Sequence, residues 1–263
     1  MNYQVDVLKV GQFPETPGAE IYWMSNFRDD QWEPLAVYAM LIRGGGNTVL
    51  VNSGAPLERL AWLNTKWGAG TNMRHQLVVY EEDRIENRLA ALGVKPDDVQ
   101  HLIITPLQPY ALGGARLFRE AIIHVNRNGW ADMFAPRYKN HPHDVMPICF
   151  SPEDIHYFFV EAWNRMDMMK DECTILPGID VFWTGVHHRS SIAVKVQTRE
   201  GTVIFSDCMF RYEHITENRL LGINENMYEA LEAYERIRKE ADILVPMYDP
   251  RVMERHPNGK IGY

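Results

Sequence analysis

The chain has 263 residues, 46% of them hydrophobic and 24% charged, with a formal net charge of −8. That length allows one large α/β domain or two small ones around a substantial core. No basic stripe suits a phosphate backbone and no run approaches the ~18 apolar residues of a membrane span, which argues against nucleic-acid and membrane partners.

The first ten residues alternate like a strand and lack the basic-then-apolar layout of a secretory signal. Leu35 to Ile42 is apolar and β-prone, Gly44-Gly45-Gly46-Asn47 turns it, and Thr48 to Asn52 returns as a hairpin partner. Ser53-Gly54-Ala55-Pro56 then breaks the strand. A helix is predicted over Glu81 to Leu92, closed by Gly93. Val99 to Thr105 reads as a buried strand, Gly113-Gly114 as the start of a helix through Glu120, and Ala121 to Val125 as the next strand.

Residues 130 to 150 are interrupted by Pro136, Pro142 and Pro147 and read as loop. Ser151-Pro152-Glu153-Asp154 is a helix start with a capping hydroxyl, and the helix is expected to run to about Met169. Ile179 to Thr184, Ser191 to Gln197 and Thr202 to Ser206 read as strands, Glu225 to Glu240 as a helix and Ile243 to Val245 as a last strand. Repeats, low-complexity tracts and linkers are missing. One domain over 1–263, with a helical insertion at about 130–172, is the economical reading, and two β-rich halves with flanking helices suggest an α/β fold of the αββα sandwich type. Cys149, Cys173 and Cys208 form no Cys-x-x-Cys pair and read as reduced thiols of a cytoplasmic protein.

Five segments carry a resemblance. They are Thr48-Val-Leu-Val-Asn-Ser-Gly54, His101-Leu-Ile-Ile-Thr-Pro-Leu-Gln-Pro-Tyr-Ala-Leu-Gly-Gly114, Thr184-Gly-Val-His-His-Arg-Ser190, Thr202-Val-Ile-Phe-Ser-Asp207 and Leu244-Val-Pro-Met-Tyr-Asp-Pro-Arg251. In this order they resemble the metallo-β-lactamase superfamily, and most closely its N-acyl homoserine lactonase branch, over roughly residues 35 to 257. The resemblance implies a hydrolase scaffold, a homodimer and a small-molecule substrate. It also implies a two-metal cluster held by five histidines and two aspartates, whose hydroxide attacks a carbonyl.

The ligand residues depart from that pattern. Pro106, Gln108, Tyr110, Ala111, Val186 and Tyr248 stand at the matching positions, and Asp207 alone remains. Proline, alanine and valine side chains offer no lone pair, and glutamine and neutral tyrosine are feeble ligands. No metal and no other cofactor is therefore expected. His187 and His188 are adjacent, and in an extended segment they would face opposite sides. His141, His143, His124 and His214 read as surface or hydrogen-bonded histidines, although a relocated metal site stays open.

The remaining groups suggest metal-independent acid–base chemistry on a small acyl, lactone-like or aromatic carbonyl compound. Tyr110, Tyr248, Asp207, His187 and His188 are the candidate catalytic residues. Gln108, Arg189 and Asn52 are the candidate substrate-binding residues, Arg189 as a fork for a carboxylate. A nucleophilic role for Ser190 or Ser191 lacks the Gly-x-Ser-x-Gly elbow. Cys208 reads as a small buried hydrophobe. An inactive binding or partner protein on the same fold is the competing expectation.

Overall fold

The computed structural model describes residues 2–24, 31–139, 141 and 144–263. His143 lies outside the described residues. Among the described residues twelve strands form two sheets. The first contains β1 (Gln4–Pro17), β2 (Trp32–Gly44), β3 (Asn47–Val51), β4 (His101–Ile103), β5 (Ile122–Asn126), β6 (Met166–Met169) and β12 (Lys260–Ile261), in the order β12-β1-β2-β3-β4-β5-β6. The second contains β7 (Glu172–Leu176), β8 (Ile179–Trp183), β9 (Ile192–Thr198), β10 (Gly201–Ser206) and β11 (Ile243–Pro246), in the order β11-β10-β9-β8-β7.

Patterning explains the layering. Every residue from Leu35 to Ile42 is buried, as expected of a strand covered on both faces, and the hairpin to β3 pairs Met40 with Val51 and Gly44 with Asn47. β3, β4, β5 and β6 then run parallel through helical connections. In the second sheet β10 and β11 are parallel, and the helix Met227–Glu240 between them buries Ala230, Ala233, Tyr234 and Ile237. Asn226 caps that helix by accepting from the backbone N–H groups of Tyr228 and Glu229. The inner faces share one apolar core, and the architecture is the expected αββα sandwich.

Three local expectations are corrected. Gly113-Gly114 does not open a helix through Glu120; a four-residue helix, Pro109–Leu112, precedes the pair and a 3-10 turn, Ala115–Leu117, follows it. The glycines serve close packing instead. A Cβ on Gly113 would lie 2.2 Å from the Pro56 nitrogen, and one on Gly114 2.2 Å from the Ser53 carbonyl oxygen.

The helix begun at Ser151 is capped as expected, the Ser151 hydroxyl accepting from the Asp154 N–H, but it does not reach Met169. It becomes a π-turn at Tyr157–Glu161 and a 3-10 turn at Trp163–Arg165, and Met166 already belongs to β6. The β-branched and aromatic run in Phe158, Phe159 and Val160 favours strand over helix. Residues 130 to 150 are not wholly loop: helices span Arg127–Phe134 and Met146–Cys149. No helix among the described residues is long and apolar enough to cross a membrane.

Candidate active site

Five strand ends deliver side chains to one region. Beyond β3 lies Asn52, beyond β4 the loop from Thr105 to Gln108, beyond β8 His187 and His188, beyond β10 Asp207 and beyond β11 Tyr248. Here a cavity of about 270 Å³ is lined by Gln108, Tyr110, His187, His188 and Tyr248, with apolar walls that include Phe13, Trp67 and Phe210. Five of the eight residues singled out from the sequence therefore meet at one surface.

His187 and His188 do not face opposite sides. The segment is a turn, with Gly185 at φ 56° and Val186 at φ 71°, and the two rings lie with centroids 3.9 Å apart on the same cavity. A β-branched residue in the left-handed region is strained by roughly 1–3 kcal/mol. Val186 is fully buried, so packing holds that backbone in place and with it the direction of both imidazoles.

Each imidazole has its own carboxylate. His188 Nδ1 lies 2.6 Å from Asp144 Oδ1, while His188 Nε2 lies 3.3 Å from the Tyr110 hydroxyl. The Gln108 amide donates to the same Asp144 oxygen at 2.9 Å, and its carbonyl oxygen accepts from the Cys149 thiol at 3.5 Å. Burial works against the His188 cation, but the Asp144 charge and hydrogen bond, with Asp207 and Glu225 beyond, lift its pKa above the usual imidazole value.

His187 Nδ1 lies 3.2 Å from Asp207 Oδ2, which also accepts from the Ser191 hydroxyl at 2.5 Å. Burial pushes the Asp207 carboxyl up to about 6 against the pull of the His188 charge and of the Ser191 and Thr105 hydroxyls. Asp207 is fully buried and does not line the cavity.

Tyr110 and Tyr248 stand edge to face, with centroids 6.0 Å apart. Burial raises both phenols well above their ordinary pKa, so both stay neutral. The two hydroxyls are hydrogen-bonded to each other, which also moves the ionisation of both, although the contact on Tyr248 is of loose geometry.

Two proposed substrate contacts are placed elsewhere. The Asn52 amide donates to the Thr105 carbonyl at 2.7 Å and accepts from its N–H at 2.9 Å, bracing β3 against the loop after β4 away from the cavity surface. Arg189 pairs with Glu225 and Glu229 and lies over the Trp183 ring, so its guanidinium is already committed to carboxylates of the chain itself. Ser191 is fully buried as an Asp207 donor, in keeping with the argument against a serine nucleophile. Cys208 is buried and its thiol is held up at about 12 by that burial.

The residue that sequence reasoning missed is Asp144. It belongs to an irregular segment with no motif, and only the fold brings it to His188.

Tyr110, Tyr248 and Gln108, at three of the positions where the resemblance implies metal ligands, are two neutral phenols and an amide, a poor donor set. His141, Asp144 and Glu225 bring ligand atoms within 4.8 Å of one another. They are the one such group among the described residues, and Glu225 Oε1 is buried without a hydrogen bond of good geometry. The Asp144 N–H donates to His141 Nδ1 at 3.0 Å, which leaves the ring proton on Nε2, 3.5 Å from Glu225 Oε1. The Arg189 guanidinium already holds the other Glu225 oxygen.

No protein-family model matches the chain. It is 22% identical over 179 residues to N-acyl homoserine lactonase AiiB of Agrobacterium fabrum, a match covering 67% of this chain and 64% of that protein. It is 25% identical over 175 residues to an N-acyl homoserine lactonase of Bacillus thuringiensis, covering 65% of this chain and 63% of the relative. The chain thus matches just under two thirds of the length of these relatives. Among solved structures, an N-acyl homoserine lactone hydrolase with the product N-hexanoyl-L-homoserine bound at its catalytic metal centre superposes with a TM-score of 0.76 at 20% identity, over 97% of each chain.

The fold is that of the metallo-β-lactamase superfamily. Within that fold the likeness runs to the N-acyl homoserine lactonases, in sequence and in structure.

Proposed function

We propose that the chain is a metal-independent enzyme acting on a small acyl, lactone-like or aromatic carbonyl compound. The observation that carries this reading is the chain of contacts from Asp144 through His188 to Tyr110, ending at the cavity. A carboxylate fixes the imidazole by Nδ1, and Nε2 passes or receives a proton at a phenol that touches the ligand. A plug made only to fill space would have no use for two imidazole–carboxylate pairs, because burying polar groups costs stability.

Two further facts support the substrate class. The cavity has apolar walls around one polar surface, the usual build of a small-molecule site. The lactonase of the same fold holds N-hexanoyl-L-homoserine, an acylated product of lactone opening.

The test is metal analysis of the purified protein, combined with a screen of lactones and aryl esters with and without chelator. Turnover that survives the chelator and is lost in Tyr110→Phe supports the reading. Stoichiometric zinc or iron with chelator-sensitive turnover contradicts it. Saturable binding of the same compounds with no turnover leaves a binding protein on a hydrolase fold.

A further inference from the structure

We propose that the end of the cavity where Glu20 faces His75 binds the protonated amine of a ligand whose carbonyl lies at Tyr110. This rests on the reading of the cavity above as a small-molecule site. It narrows the ligands to carbonyl compounds that carry an amine beyond an apolar spacer.

The two ends are joined by rings. Glu20 and His75 line the same cavity as Tyr110, Tyr248 and His188. From Tyr110 the aromatic path runs to Trp67, with centroids 6.2 Å apart, and from Trp67 to Phe13 at 5.8 Å. The His75 ring then stacks on Phe13 at 4.6 Å. A ligand reaching from the phenols to Glu20 therefore crosses apolar surface between two polar ends.

The fold fixes both acceptors at the far end. A carbonyl oxygen only accepts, so His75 Nδ1–H donates to the Glu15 carbonyl at 3.1 Å and the lone pair of the neutral ring is on Nε2. Glu20 belongs to the short helix Gly18–Ile21, whose Glu20 and Ile21 carbonyls accept from the Ile223 and Gly222 N–H groups at 3.0 and 3.2 Å. A Cβ on Gly222 would lie 1.9 Å from the Ala19 carbonyl oxygen, so glycine is what lets the two segments come this close.

Glu20 Oε2 stops 3.7 Å from His75 Nε2, beyond hydrogen-bond range. Burial pushes the Glu20 carboxyl up to about 7 and holds His75 below the usual imidazole value, so each group resists the charge that would make them an ion pair. Two acceptors thus face each other across a gap that a donor would fill. An ammonium group gives one N–H to the carboxylate and one to Nε2, and sets its charge beside the π surface of Trp67. A neutral hydroxyl would satisfy the hydrogen bonds but leave Glu20 without a counter-charge. Lys66 also lines the cavity, yet its ammonium lies over the exposed Trp62 ring, 5.2 Å from the centre, and Trp62 is not on the cavity wall.

The experiment titrates three amides into the protein at pH 8, where Glu20 is ionised, and follows binding by ligand-observed NMR. 6-Aminohexanamide, heptanamide and 6-carbamoylhexanoate share a carbonyl and a pentamethylene spacer but end in an ammonium, a methyl and a carboxylate. The amine should bind roughly 10-fold or more tighter than heptanamide, as for a hydrogen bond to a charged group, and the carboxylate should bind least. Glu20→Gln should bring the amine down to the affinity of heptanamide. Glu20→Asp, which keeps the charge, should preserve the preference.

Equal binding of the amine and heptanamide would overturn the inference. So would a preference for the carboxylate, an amine preference that survives Glu20→Gln, or binding of none of the three. None of these readings needs turnover. An amine preference that depends on Glu20, in a protein that turns over no lactone or ester, would leave this inference standing and remove the enzyme. Turnover without the preference would do the reverse.

Discussion

His187 and His188 are neighbours in sequence with the same side chain, yet the structure gives them opposite surroundings. His188 is tied to Asp144, from an irregular loop, and abuts a phenol at its far nitrogen. His187 is tied to Asp207, at the end of a strand, and lies among aromatic rings. Asp144 favours the charged form of its partner, while burial pushes the Asp207 carboxyl toward neutrality. Two equivalent imidazoles are thereby placed in unlike electrostatic surroundings, and under the proposed function His188 stands on the acid side.

The strongest way to break this division is at Asp144. Asp144→Asn should lower turnover by ~10²–10⁴. It also leaves a buried imidazole without its counter-ion, which costs about 3–5 kcal/mol of stability. Chemical denaturation alongside kinetics separates the two losses. Wild-type turnover in the D144N variant would end the acid-side assignment.

Asp207 allows a sharper test. With its carboxyl at about 6, activity should rise as pH passes through that value, where the carboxylate becomes able to hold the His187 proton. In Asp207→Asn that limb of the pH–rate profile should vanish, while any limb at higher pH from His188 stays. A profile that keeps its acid limb in the variant assigns it to another group.

His188 makes a smaller, thermodynamic contrast. Its raised pKa means that the pairing with Asp144 stabilises the fold below the unfolded imidazole value of ~6.5 and is lost as pH rises through the folded value. The stability lost in His188→Gln should therefore be larger at about pH 6 than at about pH 9. Equal losses at both values would mean that the imidazole is neutral in the folded state.

Arg189 is the weakest lever. Its guanidinium is about a quarter exposed and serves Glu225 and Glu229, outside the cavity. Arg189→Met should cost roughly 1 kcal/mol or less and leave the Michaelis constant unchanged. A large rise in that constant for carboxylate-bearing substrates would restore the role that the sequence suggested.

Much of this was legible in the chain itself. Apolar runs such as Leu35 to Ile42 and Thr202 to Ser206 announce strands covered on both faces, and motifs at the strand ends place Tyr110, Asp207 and Tyr248 near one another. The backbone between motifs was harder to read. Gly113-Gly114 looks like a helix start, but its purpose is contact with the Ser53 to Pro56 turn, which a local pattern cannot show.

Likewise the reading of His187 and His188 as opposed assumed an extended segment, and a left-handed Val186 defeats that assumption. Asp144 was out of reach for a plainer reason. Its partner is 44 residues away, and no periodicity links an irregular loop to a turn at the end of β8.

The most direct test of the central claim is turnover of a lactone or ketone substrate by protein stripped with chelator and checked for residual zinc and iron. The expected result is a rate equal to that of untreated protein, and a fall when Tyr110 or His188 is replaced. Loss of the rate on stripping, with recovery on adding back a stoichiometric divalent metal, would contradict it.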